Sequence, residues 1–514
     1  MNLQHTPIKP HVVIILTLLT LLSYTTSLEA QPKAKKKTFS SPFIAPMNIP
    51  LSFSGAFGEI RPNHFHSGID IRTDGEIGIP VMAAADGYVS RIKISPWGGG
   101  NVIYIDHPNC KDLFGHTLRT VYMHLDHFNP KIALWTLQSQ YHIQSWSIDT
   151  IVAPGVLAVH KGDIIAYSGN SGSSGGPHLH FEIRRAHNDQ PLNPVLFGIT
   201  DHDHTSPIIK DIKLYPASDR SCVNGNTQSR SLPAKINQMT VSGPFFVGIN
   251  CYDQSETYKG KNGVDDIKLY VDDSLVWHYS IRTFLFENTN LCNYLIDHPT
   301  YQSLRVEYLL TRGIPNKKLP GTTYHDYYTT QFHSYQGIIM LATGTHTLRY
   351  EVCDAAGNCT TKSFYVQSTN DQLYSEVTHA CLPDYLSLIP DSAKIASRLK
   401  AKQMEILNDH TPPTIRLCHS KQKQQMPKAK PGLTITFRLS DRGSGIKDYA
   451  CYLNDKWILA QYDGKKSTLS VTLPTGDKNY GIKNYPSLLP SGNKITVVVT
   501  DMADNEAHET YQLY

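Results

Sequence analysis

Short runs of β-branched and aromatic residues, cut by glycine, asparagine and aspartate turns, set the rhythm of this chain. Val81-Met82-Ala83-Ala84-Ala85-Asp86-Gly87-Tyr88-Val89 leads to the turn Gly98-Gly99-Gly100, and Asn101-Val102-Ile103-Tyr104-Ile105 follows. Thr120-Val121-Tyr122-Met123-His124 and Asp163-Ile164-Ile165-Ala166-Tyr167-Ser168 repeat the pattern. Runs of this length and composition predict strands. No long helical period intervenes, so residues from about 40 to 200 are expected to form an antiparallel β unit. Between Phe128 and Leu157 the pattern lapses over a segment that holds Trp135 and Trp146. An insertion of that length is either a substrate wall or lid, or an inserted hairpin packed on the edge of the unit.

The C-terminal half carries a weak internal repeat. One copy holds Val247 to Asp253, then Gly263 to Asp272, then Gly344 to Asn358; the other holds Ile435 to Asp441, then Gly445 to Tyr449, then Gly492 to Asn505. Each alternates like strands, places an Asp at a strand end, and closes its final strand with an Asp…Asn turn, a pattern that builds β-sandwiches with Asx-type turns. It resembles the immunoglobulin-like modules of secreted bacterial proteins. Between the copies, Asp391 to Leu407 reads as helical, and His410-Thr411-Pro412-Pro413 ends it. The expected order is a signal peptide at 1–30 and a basic linker at 31–45, then a β unit at 46–204 with its insertion at 128–157. A sandwich at 205–370, a partly helical linker at 371–411 and a second sandwich at 412–514 complete it.

A chain of 514 residues is too long for a single core, and about three domains is the expectation. Its 40% hydrophobic and 18% charged content suits a globular protein, and a net charge of +4 gives no reason to expect nucleic-acid binding. Lys9 and His11 precede the apolar run Val12 to Leu22, and small and polar residues lead to Ala30. That is the shape of a secretory signal peptide cleaved near Ala30, with an uncleaved anchor as the alternative. The run is short for a membrane span, which takes about 20 apolar residues. The expected location is therefore beyond the inner membrane: periplasm, cell envelope or extracellular, with no membrane contact after cleavage. Nine cysteines fit an oxidising compartment, form no metal-type CxxC pair, and leave an odd one over. Cys353 and Cys359 flank the turn Asp354 to Asn358, where a bridge is geometrically allowed; other pairings stay open.

Three histidine motifs carry the candidate chemistry. They are His66-Ser67-Gly68-Ile69-Asp70, Tyr122-Met123-His124-Leu125 and Gly176-Pro177-His178-Leu179-His180-Phe181. Two histidines and a carboxylate suffice to hold zinc, and two further histidines remain to handle protons. His66 and Asp70 can meet on one metal if the chain bends at Gly68, although such pairs are also common on surfaces. His178 and His180 project to one side of a strand, so one can ligate while the other stays free. The run Ser168 to Pro177 packs no core and makes a close-approaching loop beside them. His124 ends its strand, and Tyr122 is either a substrate contact or a packed core residue. His64, two residues before His66, competes as a ligand.

These motifs look like the signature of the lysostaphin and LytM type zinc metallopeptidases. The Ser168 to Glu182 stretch is similar to that family's Ser-Gly-Asn…Gly-Pro-His-Leu-His-Phe-Glu block, and the likeness covers roughly residues 50 to 200. The resemblance implies a mainly β fold: a lysostaphin-like antiparallel β-sheet groove of barrel-sandwich hybrid type. It implies zinc (Zn2+) held by His66, Asp70 and His180, with His124 and His178 as catalytic histidines, their division of labour left open. It implies hydrolysis of peptide cross-links in bacterial peptidoglycan. The Phe128–Leu157 segment is longer than the family's usual pattern. A non-catalytic relative that binds peptidoglycan or activates another hydrolase is the alternative, although such a copy should lack a ligand. The C-terminal modules are expected to position the enzyme or to bind a protein partner.

Overall fold

The computed structural model of the protein describes residues 41–201, 203–233, 235–314, 318–325, 336–369, 392–418, 428–475 and 479–513. The expected signal peptide and most of the basic linker lie outside these residues. Within them, no helix is long and apolar enough to cross a membrane.

The protein is mainly β, and its sheets are antiparallel apart from the pairing of Gln238–Ser242 with Cys359–Ser368. The first sheet runs in the spatial order Phe53–Gly55, Ile69–Arg72, His178–Arg185, Thr117–Leu125, Asn101–Lys111, Gly87–Ile94 and Ile148–Ile151. Alternation along its strands sends Ile69, Ile71, Ile103, Ile105, Tyr122, Leu179, Phe181 and Ile183 into one core. The stretch from Val81 to Val89 is two strands rather than one, Pro80–Met82 and Gly87–Ile94. Between them, Ala83, Ala84 and Ala85 are buried, and the Ala84 N–H donates to the Tyr122 hydroxyl at 2.9 Å.

The insertion at 128–157 is a helix, Pro130–Ile143, followed by the edge strand Ile148–Ile151, rather than a hairpin. Asn129 caps it through a bond from the Ile132 N–H, Pro130 fills the first turn where its missing donor costs nothing, and Gln144 ends it in a left-handed conformation. The sequence hides this helix because only Ile132, Thr136 and Gln140 are buried, which is a narrow and partly polar stripe.

Strands of the C-terminal half form two further sheet pairs. Residues 208–216 and 245–252 belong to a four-stranded sheet, and 266–271, 344–353 and 359–368 to a seven-stranded one; both feed a core around Trp277, Tyr350 and Phe364. Two four-stranded sheets sandwich a third core around Phe437, Leu469 and Val497. Helix Ser392–Leu407 lies where the helical pattern was read. Cys353 and Cys359 are disulfide-bonded across their turn.

Candidate metal centre

The strand pairing Ile69–Arg72 with His178–Arg185 places His180 opposite Asp70. The short hairpin Ile60–Arg61/His64–Phe65 then delivers His66 to the same point. His66 Nε2, Asp70 Oδ1 and His180 Nδ1 lie 3.1, 3.0 and 2.8 Å from one another. All three residues are buried, at 3%, 6% and 6% exposure.

The bonds behind these atoms orient the rings. His66 Nδ1 is 2.8 Å from the Ala56 carbonyl, which can only accept, so the proton sits there and Nε2 keeps a lone pair. His180 lies between two carboxylates, with Nε2 2.8 Å from Glu182 Oε1 and Nδ1 2.8 Å from Asp70 Oδ1, so without a metal either ring nitrogen can donate. Glu182 is itself held by the Ser67 hydroxyl at 2.6 Å and by Arg184. Arg61 occupies the other Asp70 oxygen at 2.6 Å. With Glu182 holding Nε2–H, His180 Nδ1 can turn a lone pair to the same point as His66 Nε2 and Asp70 Oδ1. Two imidazole nitrogens with one carboxylate oxygen converging on one point are a metal-type donor set.

The electrostatics agree. Burial would raise the Asp70 carboxyl, but His66, His178 and His180 hold it well below the usual range. Burial would depress His180, but bonds to Asp70 and Glu182 push it up to about 9. Burial also favours neutral Glu182; Arg184 and His180 outweigh it and keep the group ionised. The two carboxylates are matched to cationic groups and His180 to the carboxylates.

His178 and His124 flank the junction and are only half-buried. Their rings are 4.8 Å apart, and His178 Nε2 is 3.5 Å from Asp70 Oδ1. Both rings are tied through Nδ1 to backbone carbonyls, His178 to Gly176 at 2.8 Å and His124 to Ser171 at 2.9 Å. Burial, then the neighbouring His180 and His178, push His124 down to about 3, so it is neutral near pH 7. Its backbone is left-handed at φ 63°, which breaks the strand's alternation. Tyr122 consequently packs in the core against Phe181, while His124 stands beside His178.

Two glycine positions make the approach possible. A Cβ on Gly68 would meet the Phe181 carbonyl at 2.3 Å and His180 Nε2 at 3.0 Å, so Gly68 serves close packing. A Cβ on Gly172 would meet the Gly100 nitrogen at 2.3 Å, so the two glycine loops stack backbone on backbone beside His124. His64 takes no part in the junction; it is exposed and its ring binds the Pro62 carbonyl. The sequence reading did not single out Glu182, Arg184, Ser67 or Arg61. The signal for the first two was available, because His178, His180, Glu182 and Arg184 share one strand face.

Both C-terminal sandwiches touch this unit. Phe57 and Phe65 are buried in the core of the first, where both pack against Phe284, and the Thr289 hydroxyl accepts the Phe65 N–H at 2.8 Å. The inserted helix docks the second: Tyr141 packs on Trp457 and Tyr485, and Gln138 bonds the Tyr480 carbonyl at 2.9 Å. Lys465 reaches the Asn170 carbonyl at 2.8 Å. The insertion is thus an anchor for residues 457–485.

Residues 64–134 and 137–194 match the model of Peptidase family M23. All five histidine and aspartate positions lie inside that match. The chain is 32% identical over 164 residues, 32% of its own length and 26% of the relative's, to an uncharacterized metalloprotease of Haemophilus influenzae. It is 33% identical over 173 residues, 34% of its own length and 31% of the relative's, to the DD-carboxypeptidase/endopeptidase Mpg of Neisseria meningitidis. The catalytic domain of lysostaphin from Staphylococcus simulans shares 26% identity, with 29% of this chain and 91% of that one covered and a TM-score of 0.20. The chain spans less than a third of the length of these curated relatives.

Proposed function

We propose that residues 46–204 are a zinc metallopeptidase domain of the M23 type that hydrolyses peptide cross-links of bacterial peptidoglycan. The observation that carries this reading is the convergence of His66 Nε2, Asp70 Oδ1 and His180 Nδ1 with two half-buried histidines at its edge, inside the matched segment. The relatives named as a metalloprotease and as a DD-carboxypeptidase/endopeptidase support the reaction class and the substrate.

His66, Asp70 and His180 are the proposed ligands. Zinc bound there would supply a Lewis acid that polarises a carbonyl and brings the pKa of a water toward ~7. The chain's own groups do the rest. His124, tethered through Nδ1, presents Nε2 toward the junction as the proposed proton acceptor. His178, tethered likewise, stands opposite to steady developing charge or to pass a proton to the leaving amine. Arg61 restrains the free oxygen of Asp70, and Glu182 fixes the His180 ring. The sandwiches at 205–370 and 412–514 hold this unit from two sides, and export to the periplasm or beyond brings it to its substrate.

Digestion of purified sacculi tests the proposal. Soluble muropeptides should appear, vanish with chelator and return with zinc, and mass spectrometry of the products should locate the cut bond. His178→Ala and His124→Ala should keep zinc and each lose about 10²–10⁴-fold in turnover. No cleavage by the zinc-loaded protein, with stimulation of another wall hydrolase, would establish the non-catalytic alternative.

A further inference from the structure

The two sandwiches share a second feature that the peptidase reading does not use. Asp203-His204-Thr205 opens the first and Asp409-His410-Thr411 opens the second. Asp253 follows the strand Phe245–Tyr252, and Asp441 follows Thr434–Ser440. Asp354 and Asp501 begin the final Asp…Asn turns. In each sandwich the three carboxylates converge, with one oxygen of each within 4.8 Å of the others.

The copies share the bonds that tie the entering segment to the final turn. Asp203 Oδ1 accepts the Thr205 N–H at 3.1 Å, as Asp409 Oδ1 accepts the Thr411 N–H at 3.0 Å. Asn358 Nδ2 donates to the Asp203 carbonyl and to Asp354 Oδ2, as Asn505 Nδ2 donates to the Asp409 carbonyl and to Asp501 Oδ2.

Convergence of acids alone would not identify a ligand. The deciding observation is Asp253, which is only 7% exposed and whose Oδ1 has no hydrogen-bond partner. Asp441 Oδ1, at the matching position, is buried and unpartnered too. Among the described residues, no lysine or arginine forms an ion pair with any of the six carboxylates. A buried carboxylate oxygen without a donor is costly, and three anionic groups in contact raise that cost further. A cation resolves both. The donors are oxygens only, with no imidazole or thiolate, which selects a hard ion. Several carboxylates supplied by the protein suit calcium; magnesium keeps most of its waters and is seldom held in a protein cage.

We propose that each sandwich binds one calcium ion, through Asp203, Asp253 and Asp354 in the first and Asp409, Asp441 and Asp501 in the second. Each ion joins the segment that enters the sandwich to two of its turns. The first also braces the peptidase unit. Asp253 exchanges two backbone bonds with Asn262, both 3.0 Å, and Asn262 Nδ2 donates to the Phe53 carbonyl in the strand paired with Ile69–Arg72.

Calorimetric titration of the full-length, zinc-loaded, calcium-depleted protein with calcium chloride to about 5 mM tests this, a range set by the 10⁻⁴–10⁻³ M affinities of extracellular modules. Two ions should bind per chain. Asp253→Asn and Asp441→Asn remove the unpartnered charges without changing shape, and each should leave one site and weaken the altered one at least about tenfold. The double variant should bind none, and calcium should raise the melting temperature of the parent but not of the double variant. No binding by the parent, or binding and stabilisation retained by the double variant, overturns the proposal. A parent that binds one ion overturns it for the sandwich whose variant changes nothing. Should circular dichroism find either single variant unfolded, the other decides for its own sandwich.

Discussion

His180 and His66 reach the same point by different means. The His180 strand is the third in its sheet, paired on both sides, with Leu179, Phe181 and Ile183 buried between its polar residues. His66 follows a hairpin of two residues per strand, too short to hold itself. Its neighbour Phe65 is instead buried in the core of the first sandwich, against Phe284 from more than two hundred residues away. One proposed ligand therefore belongs to the first β unit alone, and the other is set by a separate core. If the proposed centre binds zinc, its affinity is expected to depend on the docking of the first sandwich.

That contrast can be broken in steps of falling size. His180→Ala removes a ligand from the rigid arm; zinc should no longer co-purify, read by metal analysis, and hydrolysis should stop. A zinc-loaded, active variant would contradict the ligand assignment. Phe65→Ala empties a buried aromatic site, and should cost about 3–5 kcal/mol in unfolding free energy. It should also weaken zinc binding although the substituted residue touches no metal-site atom; unchanged zinc affinity in the folded variant would mean that His66 holds its place without the sandwich. Glu182→Gln leaves the ligands intact but weakens the acceptor behind His180, and zinc affinity should fall about 10–100-fold in competition titrations. Lys465→Ala cuts a surface bond to Asn170 and should change stability by no more than about 0.5 kcal/mol in denaturant unfolding.

How much of this was legible beforehand depended on range. The i, i+2 spacing of His178 and His180 announces a shared face, and a glycine–proline run ahead of it announces an open loop rather than a core. Glu182 and Arg184 extend the same face, yet nothing local says that their charges are buried as a pair. Gly68 was expected as a bend, but it is needed because another backbone passes 2.3 Å from where its Cβ would be. The helix Pro130–Ile143 escaped notice because its partner surface, Trp457 and Tyr485, is distant in sequence and its own apolar stripe is thin.

The sequence by itself determined the β character, the repeat in the C-terminal half and the identity of the candidate chemical groups, because alternation, turn residues and donor type are local properties. The spacing of His66 to Gly68 and Asp70 already favoured it over His64, and only the tertiary structure brings its Nε2 against Asp70 and His180 while His64 stays exposed. Tertiary structure alone decided that Asp253 is buried without a donor, and that the peptidase unit leans on two sandwiches. These depend on which distant surfaces exclude water together, and burial is a property of the assembled chain that no window of residues contains.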